Sequence, residues 1–505
     1  MKFPRSSGIL LHPTSLPGPH GSGDLGQAAY HFVDWLVTAG QKLWQMLPLG
    51  PVGYGNSPYM GLSAFAGNPM LIDLQELSTK GWLDAKELAG AVECNPRRID
   101  YAKAIRYRSD KLAMASYGFF THGSDSDGKI FETFCRQQSD WLDDYALFMA
   151  LNSKYSNRVW TEWDSDIARR SPSALKRART ELSNEMDFHK FSQWCFMRQW
   201  KNLKKYANQK GVRLVGDIPI FVAHDSADVW SNPNLYYLDK DRNPTVVAGV
   251  PPDYFSETGQ RWGNPLYRWD AMKKEKYAWW IKRFQATFDL VDILRIDHFR
   301  GFVGYWEIPA TEKTAVKGRW VDGPRESLFE AVEKKLGELP IIAEDLGLIT
   351  PEVVSLRDKF QFPGMKVLHF AFSDGPDNPF LPHHYHENSV VYTGTHDNDT
   401  TLGWFKTATK KELSFLMQYT KTQGQEIHWD LIRLAIQSVA VMAIVPFQDI
   451  LGLDSPDRMN LPGTTKGNWE WRFSWDQVHP EHALRLYRET ALASRTAPDR
   501  LDLQV

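Results

Sequence analysis

The sequence has few cysteines, no excess of charge of one sign and no long apolar run. Its three cysteines, Cys94, Cys135 and Cys195, are spaced unevenly and match neither a disulfide framework nor a metal-binding motif. The 59 basic and 61 acidic residues give a formal net charge of -2, which argues against nucleic acid and anionic membranes as partners. No segment is apolar for the roughly 18 residues that span a bilayer, and residues 1–7 lack a signal-peptide core. These absences predict a cytoplasmic protein that acts on a neutral, polar substrate.

Aromatic residues, in contrast, are plentiful: the chain of 505 residues has 20 Trp, 19 Tyr and 27 Phe. A chain of this length can build either several cores or one large barrel with insertions, and most of the aromatic side chains must be buried there. Trp and Tyr rings also stack on the apolar faces of sugars. Their abundance therefore favours a carbohydrate as the neutral substrate.

Short apolar runs that end in polar, Gly or Pro residues alternate with amphipathic helical segments such as 27–39 and 324–336. Eight such runs are expected to be strands: 9–11, 43–47, 213–215, 293–296, 341–343, 366–372, 390–392 and 443–445. Strands that alternate with helices form parallel sheets. The pattern therefore predicts the α/β class and, within it, a (β/α)8 TIM barrel.

Two long intervals interrupt the predicted barrel. Roughly 160 residues separate the second and third strands and about 75 separate the third and fourth, far more than a strand-helix-strand crossover needs. We therefore expect the first barrel strands in 1–69, an inserted, mainly helical subdomain in 70–205, the third strand in 206–225, an inserted rim subdomain in 226–285 with an aromatic loop at 249–264, the rest of the barrel in 286–492 and a tail in 493–505.

Three acidic clusters directly follow predicted strands. They read RIDHF at 295–299, AEDLG at 343–347 and TGTHDND at 393–399. Residues just past the carboxyl end of a barrel strand line the active site. We therefore expect Asp297, Glu344 and Asp397 around one pocket, and carboxyl groups that flank a sugar linkage are the groups that cleave glycosidic bonds.

The neighbours of two carboxyl groups suggest different protonation states. Arg295 lies two residues before Asp297 and on the same side of the strand, so its guanidinium should hold Asp297 ionised, as a nucleophile requires. Crowding by two other carboxylates should raise the pKa of Glu344, which suits a general acid.

Other interpretations of these motifs stay open. Any one carboxylate after a strand may cap the following helix. A metal-dependent barrel hydrolase is an alternative, with ligands drawn from His12, His298, His396 and the acids beside His396. The sequence GSGDLG at 21–26 matches the glycine pattern of a dinucleotide-binding turn. It lacks the acidic residue that such a site has about 20 positions later. The segment 239–243 begins like a calcium loop but lacks its Gly and Glu, so a hairpin turn is expected.

The acidic clusters, with HPTSLPG at 12–18, SPY at 57–59, SAFAGNP at 63–69, GDIP at 216–219 and the loop 251–264, resemble the 4-α-glucanotransferases of the amylomaltase type, a family related to α-amylases and classed as glycoside hydrolase family 77. The resemblance runs from about residue 7 to residue 472. It implies that Asp297 is the nucleophile, Glu344 the acid/base and Asp397 the carboxylate that holds and distorts the sugar.

The resemblance also implies which residues contact the substrate. Tyr59, Asp217, Arg295 and His396 match residues that surround the sugar at the cleavage point in the family, and Ser57 belongs to the same motif as Tyr59. Asn468 would complete the donor side. In the aromatic loop we expect Tyr254, Phe255 and Trp262 to cover the cleft, stack on an acceptor glucan and exclude water.

The predicted function is therefore transfer of an α-1,4-glucan segment to the 4-hydroxyl of another glucan, with retention, through a covalent glycosyl-enzyme. We expect no metal or organic cofactor. The expected partners are malto-oligosaccharides and α-1,4-glucans as donor and acceptor, with no nucleic acid or membrane, and the expected state is a monomer. An α-1,4-glucan hydrolase with the same three carboxylates and a non-catalytic glucan-binding protein are the alternatives.

Overall fold

The computed structural model describes residues 2–89, 95–252 and 256–496. The strands in these residues are β1 (Ser6–Leu10), β2 (Leu43–Gln45), β3 (Arg213–Pro219), β4 (Val246–Val250), β5 (Gln260–Pro265), β6 (Ile293–Asp297), β7 (Gly304–Pro309), β8 (Arg319–Asp322), β9 (Ile341–Ala343), β10 (Gly364–Val367), β11 (Ser389–Tyr392) and β12 (Met442–Pro446). Eight of them, β1, β2, β3, β6, β9, β10, β11 and β12, form a closed barrel. Neighbouring barrel strands are parallel. The predicted α/β barrel is therefore confirmed.

The barrel strands are short because each needs only to cross the buried core. All residues of β1, β9, β11 and β12 are buried, as expected for strands covered by helices on the outside and by barrel side chains on the inside. Of the eight barrel strands, β9 has the predicted bounds, and the largest differences are at the carboxyl ends of β3 and β10. β3 continues to Pro219, and β10 ends at Val367, where the chain turns into a short 3-10 helix at Leu368–Phe370. Of the later apolar residues of that run, Leu368, Ala371 and Phe372 are buried outside the barrel strands, whereas Phe370 is 37% exposed.

The α-helices of the described residues are α1 (Gln27–Thr38), α2 (Leu74–Thr79), α3 (Tyr101–His122), α4 (Asp125–Gln137), α5 (Ser139–Lys154), α6 (Ser165–Ala168), α7 (Pro172–Glu181), α8 (Ser183–Gln209), α9 (Ala227–Ser231), α10 (Trp269–Lys274), α11 (Ala278–Leu290), α12 (Glu326–Leu336), α13 (Pro351–Lys359), α14 (Thr401–Thr407), α15 (Lys410–Thr420), α16 (Ile427–Gln437), α17 (Phe447–Ile450) and α18 (Pro480–Leu492). Among these described helices, none combines the length and apolarity needed to cross a membrane.

The interval between β2 and β3 contains α2 to α8. The segment 84–91, whose sequence predicts a helix, contains a single 3-10 turn at Ala85–Leu88, and its residues 90 and 91 lie outside the described residues. α4 begins where the Ser124 side chain accepts a hydrogen bond from the Asp127 backbone, a capping signal that the sequence analysis did not use. α8 is 27 residues long and leads directly into β3, so it connects these helices to the barrel.

A second, antiparallel sheet lies beside the barrel and has the strand order β5, β4, β7, β8. The sequence analysis did not predict it. The expected hairpin turn precedes β4, where the Asp239 carboxylate accepts hydrogen bonds from the backbone of Asp241 (2.8 Å) and Asn243 (2.9 Å). Because β5 carries Trp262 and β7 follows the first acidic cluster closely, this rim sheet borders the barrel opening on one side.

Candidate active site

Two of the three carboxyl groups lie at the ends of neighbouring strands. Asp297 is the last residue of β6, and Glu344 follows β9 directly. The backbones interlock at this point, because the Glu344 nitrogen donates to Ile296 (3.1 Å) and the Phe299 nitrogen donates to the Glu344 carbonyl (3.1 Å). The strand register therefore brings Asp297 and Glu344 side by side at the carboxyl end of the barrel.

A buried guanidinium joins Asp297 to a carboxylate of the next strand. Arg295 Nη2 lies 3.0 Å from Asp297 Oδ1, and Arg295 Nη1 lies 2.5 Å from Asp217 Oδ2. Arg295 and Asp297 point to the same side of β6 because side chains alternate along a strand, and Asp217 is opposite Arg295 in the β3–β6 register. The Arg295 side chain is only 5% exposed, so water screens these ion pairs little.

The ion pair with Arg295 limits the rise in the pKa of Asp297 that burial causes. Burial raises the pKa of Asp297 to about 6, and the neighbouring guanidinium acts in the opposite direction. The Asp297 side chain stays 31% exposed, so it remains accessible from the barrel opening. At pH 7 the carboxylate is therefore ionised.

Glu344 has the opposite protonation state. Burial raises the pKa of Glu344 to about 8, and the Asp297 carboxylate contributes in the same direction. Two backbone groups hold the side chain, since the nitrogens of His298 (2.6 Å) and Leu346 (2.9 Å) donate to its two oxygens. Glu344 is therefore protonated at pH 7. Crowding by carboxylates, the cause predicted from the sequence, contributes less to this shift than burial does.

Asp397 lies in the turn after β11, further from the strand end than the other two carboxyl groups. Its Oδ1 accepts a hydrogen bond from Asn460 Nδ2 (2.6 Å) and lies 3.4 Å from His396 Nε2. Arg458 also donates to its backbone carbonyl (2.9 Å). The Asp397 side chain is 49% exposed, so its carboxylate is accessible to a ligand.

An aromatic wall connects Asp217 with the His396 turn. The Tyr59 hydroxyl donates to Asp217 Oδ2 (2.8 Å), and its ring lies almost parallel to the His396 ring, with centroids 5.1 Å apart. The Trp469 ring is 5.9 Å from Tyr59 and 6.0 Å from His396. Ser57 Oγ accepts from the Tyr59 backbone (3.3 Å) and shapes the turn that presents the ring.

Trp262 is the residue of the aromatic loop that the structure places beside the carboxyl groups. Its ring meets the His298 imidazole edge to face, with centroids 4.8 Å apart, and His298 directly follows Asp297. Burial lowers the pKa of His298 to about 3, so this imidazole is neutral. Tyr254 and Phe255 lie outside the described residues.

The described structure brings Tyr59, Asp217, Arg295, His396 and the three acids together, but Asn468 contacts its own loop. Its side chain accepts from the Leu461 backbone (2.9 Å) and donates to Thr464 (2.9 Å). The same loop carries Asn460, which the sequence analysis missed. No local motif marks Asn460, since its partner Asp397 is 63 residues away along the chain.

A parallel eight-stranded barrel whose carboxyl-terminal opening holds an ionised and a protonated carboxyl group is the type of scaffold used by enzymes that act on glycosidic bonds. The family model described as 4-alpha-glucanotransferase matches residues 11–477. The chain belongs to this family, which confirms the family predicted from the sequence motifs.

Individual relatives agree with this assignment. A 4-alpha-glucanotransferase of Thermus thermophilus is 51% identical over 96% of this chain and 98% of its own length. One from Synechocystis sp. is 53% identical over 94% of this chain and 95% of its own. Among solved structures, an amylomaltase from Streptococcus agalactiae in complex with acarbose superposes with a TM-score of 0.95 at 39% identity and covers 98% of this chain and 100% of its own.

Proposed function

We propose that this chain transfers segments of α-1,4-glucans to the 4-hydroxyl of an acceptor glucan by a retaining double displacement, in which Asp297 is the nucleophile and Glu344 the acid/base. The observation that carries the proposal is the pair of opposite protonation states, with pKa values of about 6 for Asp297 and about 8 for Glu344. A retaining enzyme needs this combination of an ionised and a protonated carboxyl group at the start of the reaction.

In the first step, Asp297 attacks the anomeric carbon while Glu344 donates its proton to the departing glycosidic oxygen. The bond to the leaving glucan breaks as the ester bond to Asp297 forms. The buried Arg295, which pairs with both Asp297 and Asp217, keeps the nucleophile ionised and fixed in direction. The two backbone donors to Glu344 keep its carboxyl group beside Asp297.

The residues around Asp397 hold the sugar in this proposal. Asp397 accepts hydrogen bonds from the hydroxyls of the sugar, and His396 donates a hydrogen bond to one of them. The Tyr59 ring covers an apolar face of the sugar. Support comes from the exposure of the Asp397 carboxylate and from the rigid Tyr59–His396 stack beside it. Ser57 and Asn468 act indirectly, because their hydrogen bonds stabilise the loops that carry these groups.

In the second step, Glu344, now ionised, takes the proton of the attacking hydroxyl, and the new glycosidic bond forms as the ester breaks. A sugar hydroxyl as acceptor gives transfer, and water gives hydrolysis. Trp262 contacts His298, the residue next to the nucleophile, so we assign to it the exclusion of water at the acceptor side.

Incubation of the purified protein with maltotriose tests this function. Transfer makes glucose and a ladder of longer maltodextrins without an increase in total reducing ends, whereas reducing ends that rise with product indicate a hydrolase and no product indicates binding alone. Asp297→Asn should abolish the ladder. Asp358→Asn, on an exposed carboxylate of α13 that pairs with Arg357, is the matched control and should leave it intact. Substantial turnover by Asp297→Asn would contradict the nucleophile assignment.

A further inference from the structure

A second cavity lies outside the barrel, between α5, α9, α11 and the loop that contains Phe65. Its volume is about 530 Å³, and the described residues that line it do not include the three acids of the barrel opening. The volume falls within the range of about 300–1,000 Å³ that is typical of small-molecule sites. We name it the α5–α11 cavity.

Aromatic rings form one side of the α5–α11 cavity. The rings of Phe65 and Trp141 are nearly parallel, at 17°, with centroids 6.3 Å apart. Trp279 stands perpendicular to Phe65, at 87° and 6.0 Å. Phe65 and Trp141 are only partly buried, so part of each ring faces the cavity. Paired rings of this kind are suited to the apolar faces of sugar units.

Trp279 contributes its ring to the same wall. It is 7% exposed, and its indole Nε1 is enclosed, with no hydrogen bond among the described residues. Its part in the lining is therefore the aromatic ring and not a hydrogen bond to a ligand.

Three acidic side chains of the cavity wall already have partners. Asp140 forms an ion pair with Lys282 (2.6 Å), and Asp144 pairs with Arg170 (2.8 Å). The carboxylate of Asp228 accepts from the Ala64 backbone (2.7 Å). The lining has five acidic and two basic side chains, which disfavours an anionic ligand. Among the described residues, no group of side chains is arranged to hold a metal ion. Aromatic carbon beside hydrogen-bonding groups that stay fixed in place is the lining expected for a neutral, polyhydroxylated ligand.

We propose that the α5–α11 cavity is an accessory binding site for a segment of an α-1,4-glucan. This inference rests on the proposed function, because it takes the donor or acceptor of the reaction as the ligand. A glucan long enough to occupy both sites is held at two points, which raises its effective concentration at the barrel opening. A trisaccharide occupies one site at a time and gains nothing.

Trp141→Ala tests the proposal by removing the half-buried ring of the cavity wall. We expect amylopectin in native gels to retard this variant several-fold less than the wild-type protein. Its KM for amylose should rise several-fold, while its kcat for maltotriose should stay at the wild-type value. Tyr117→Ala, which removes an exposed aromatic ring of α3 that does not line the cavity, should change none of these quantities.

Ala278→Trp provides a second variant that does not depend on the loss of a packed ring. Ala278 is exposed and lines the cavity, so a larger side chain there fills the site and should reproduce the loss of amylopectin retardation. If both variants keep wild-type retardation and KM for amylose, the accessory site is refuted. That result is distinguishable from failure of the proposed function, in which the wild-type protein itself makes no ladder from maltotriose.

Discussion

At the level of single residues, the two adjacent carboxyl groups titrate on opposite sides of neutrality. Burial raises the pKa of Asp297 to about 6 and that of Glu344 to about 8. Arg295 keeps the first value from rising further. The active combination of ionised Asp297 and protonated Glu344 is therefore most populated between these two pKa values.

We expect kcat/KM for maltotriose to follow a bell-shaped pH profile. Activity should rise with pH as Asp297 loses its proton near pH 6 and fall as Glu344 loses its proton near pH 8. Initial rates of glucose release across this range measure both limbs. A profile without the alkaline fall would contradict Glu344 as the acid.

Glu344→Gln is the matched control for the alkaline limb. With maltotriose as donor, kcat should drop by about 10²- to 10⁴-fold, the usual contribution of a general acid. With α-glucosyl fluoride, whose leaving group needs no proton, the first step should lose much less, so a rapid burst of fluoride release should remain although the second step lacks its base. The alkaline fall of that burst should disappear because no group in this variant titrates at that position.

At the level of elements, the opening of the barrel is shared between strand ends and the rim sheet. β6 ends at Asp297 and β9 leads directly into Glu344, while β5 of the rim sheet carries Trp262. Contact between the two parts passes through His298, which adopts a left-handed backbone conformation (φ 56°). Such a conformation is costly for a residue other than Gly, and it turns the chain sharply directly after the nucleophile.

Trp262→Ala should shift the products from transfer toward hydrolysis, because loss of the ring admits water beside the glycosyl-enzyme. The measurement is the ratio of new reducing ends to maltodextrins longer than maltotriose. Trp262→Phe keeps an aromatic ring and should change the ratio less. Trp320→Ala removes a ring of the same sheet that lies over Arg300 and not His298, and should leave the ratio unchanged. An unaltered ratio in Trp262→Ala would exclude the assigned role.

The elements that the sequence predicted correctly are those with a local signal. An apolar run followed by an acid predicted β6, β9 and β11, because both features lie within a few residues of each other. The rim sheet and Asn460 lacked such a signal, since their partners are distant along the chain. The cause of the Glu344 pKa shift was also out of reach, because burial depends on how all the elements pack.

At the level of the whole molecule, a buried ion pair connects the inserted helices to the barrel. Arg108 of α3 is fully buried and donates to the His20 carbonyl (3.2 Å), to Asp24 Oδ2 (3.3 Å) and to the Ile72 carbonyl. Asp24 lies between β1 and α1, so this guanidinium joins three parts of the chain. Its loss would leave a buried carboxylate and two carbonyl groups without their donor.

We expect Arg108→Met to lower the free energy of unfolding by about 3–5 kcal/mol, the typical cost of breaking a buried ion pair on one side. Urea unfolding followed by tryptophan fluorescence measures it. Arg106→Met, at an exposed position of the same helix, is the control and should change little. The double variant with Asp24→Asn should recover part of the loss, and a single-variant effect below about 1 kcal/mol would contradict the account.

The hydrogen bonds that hold the Glu344 carboxyl group determine which nearby side chains can be replaced. Both of its hydrogen-bond donors belong to the main chain, at positions 298 and 346. Every amino acid except proline carries that donor, so the orientation of the acid does not depend on which side chain occupies position 346. The proton donor can therefore keep its geometry while side chains around it change in size and polarity, which leaves the acceptor side open to redesign.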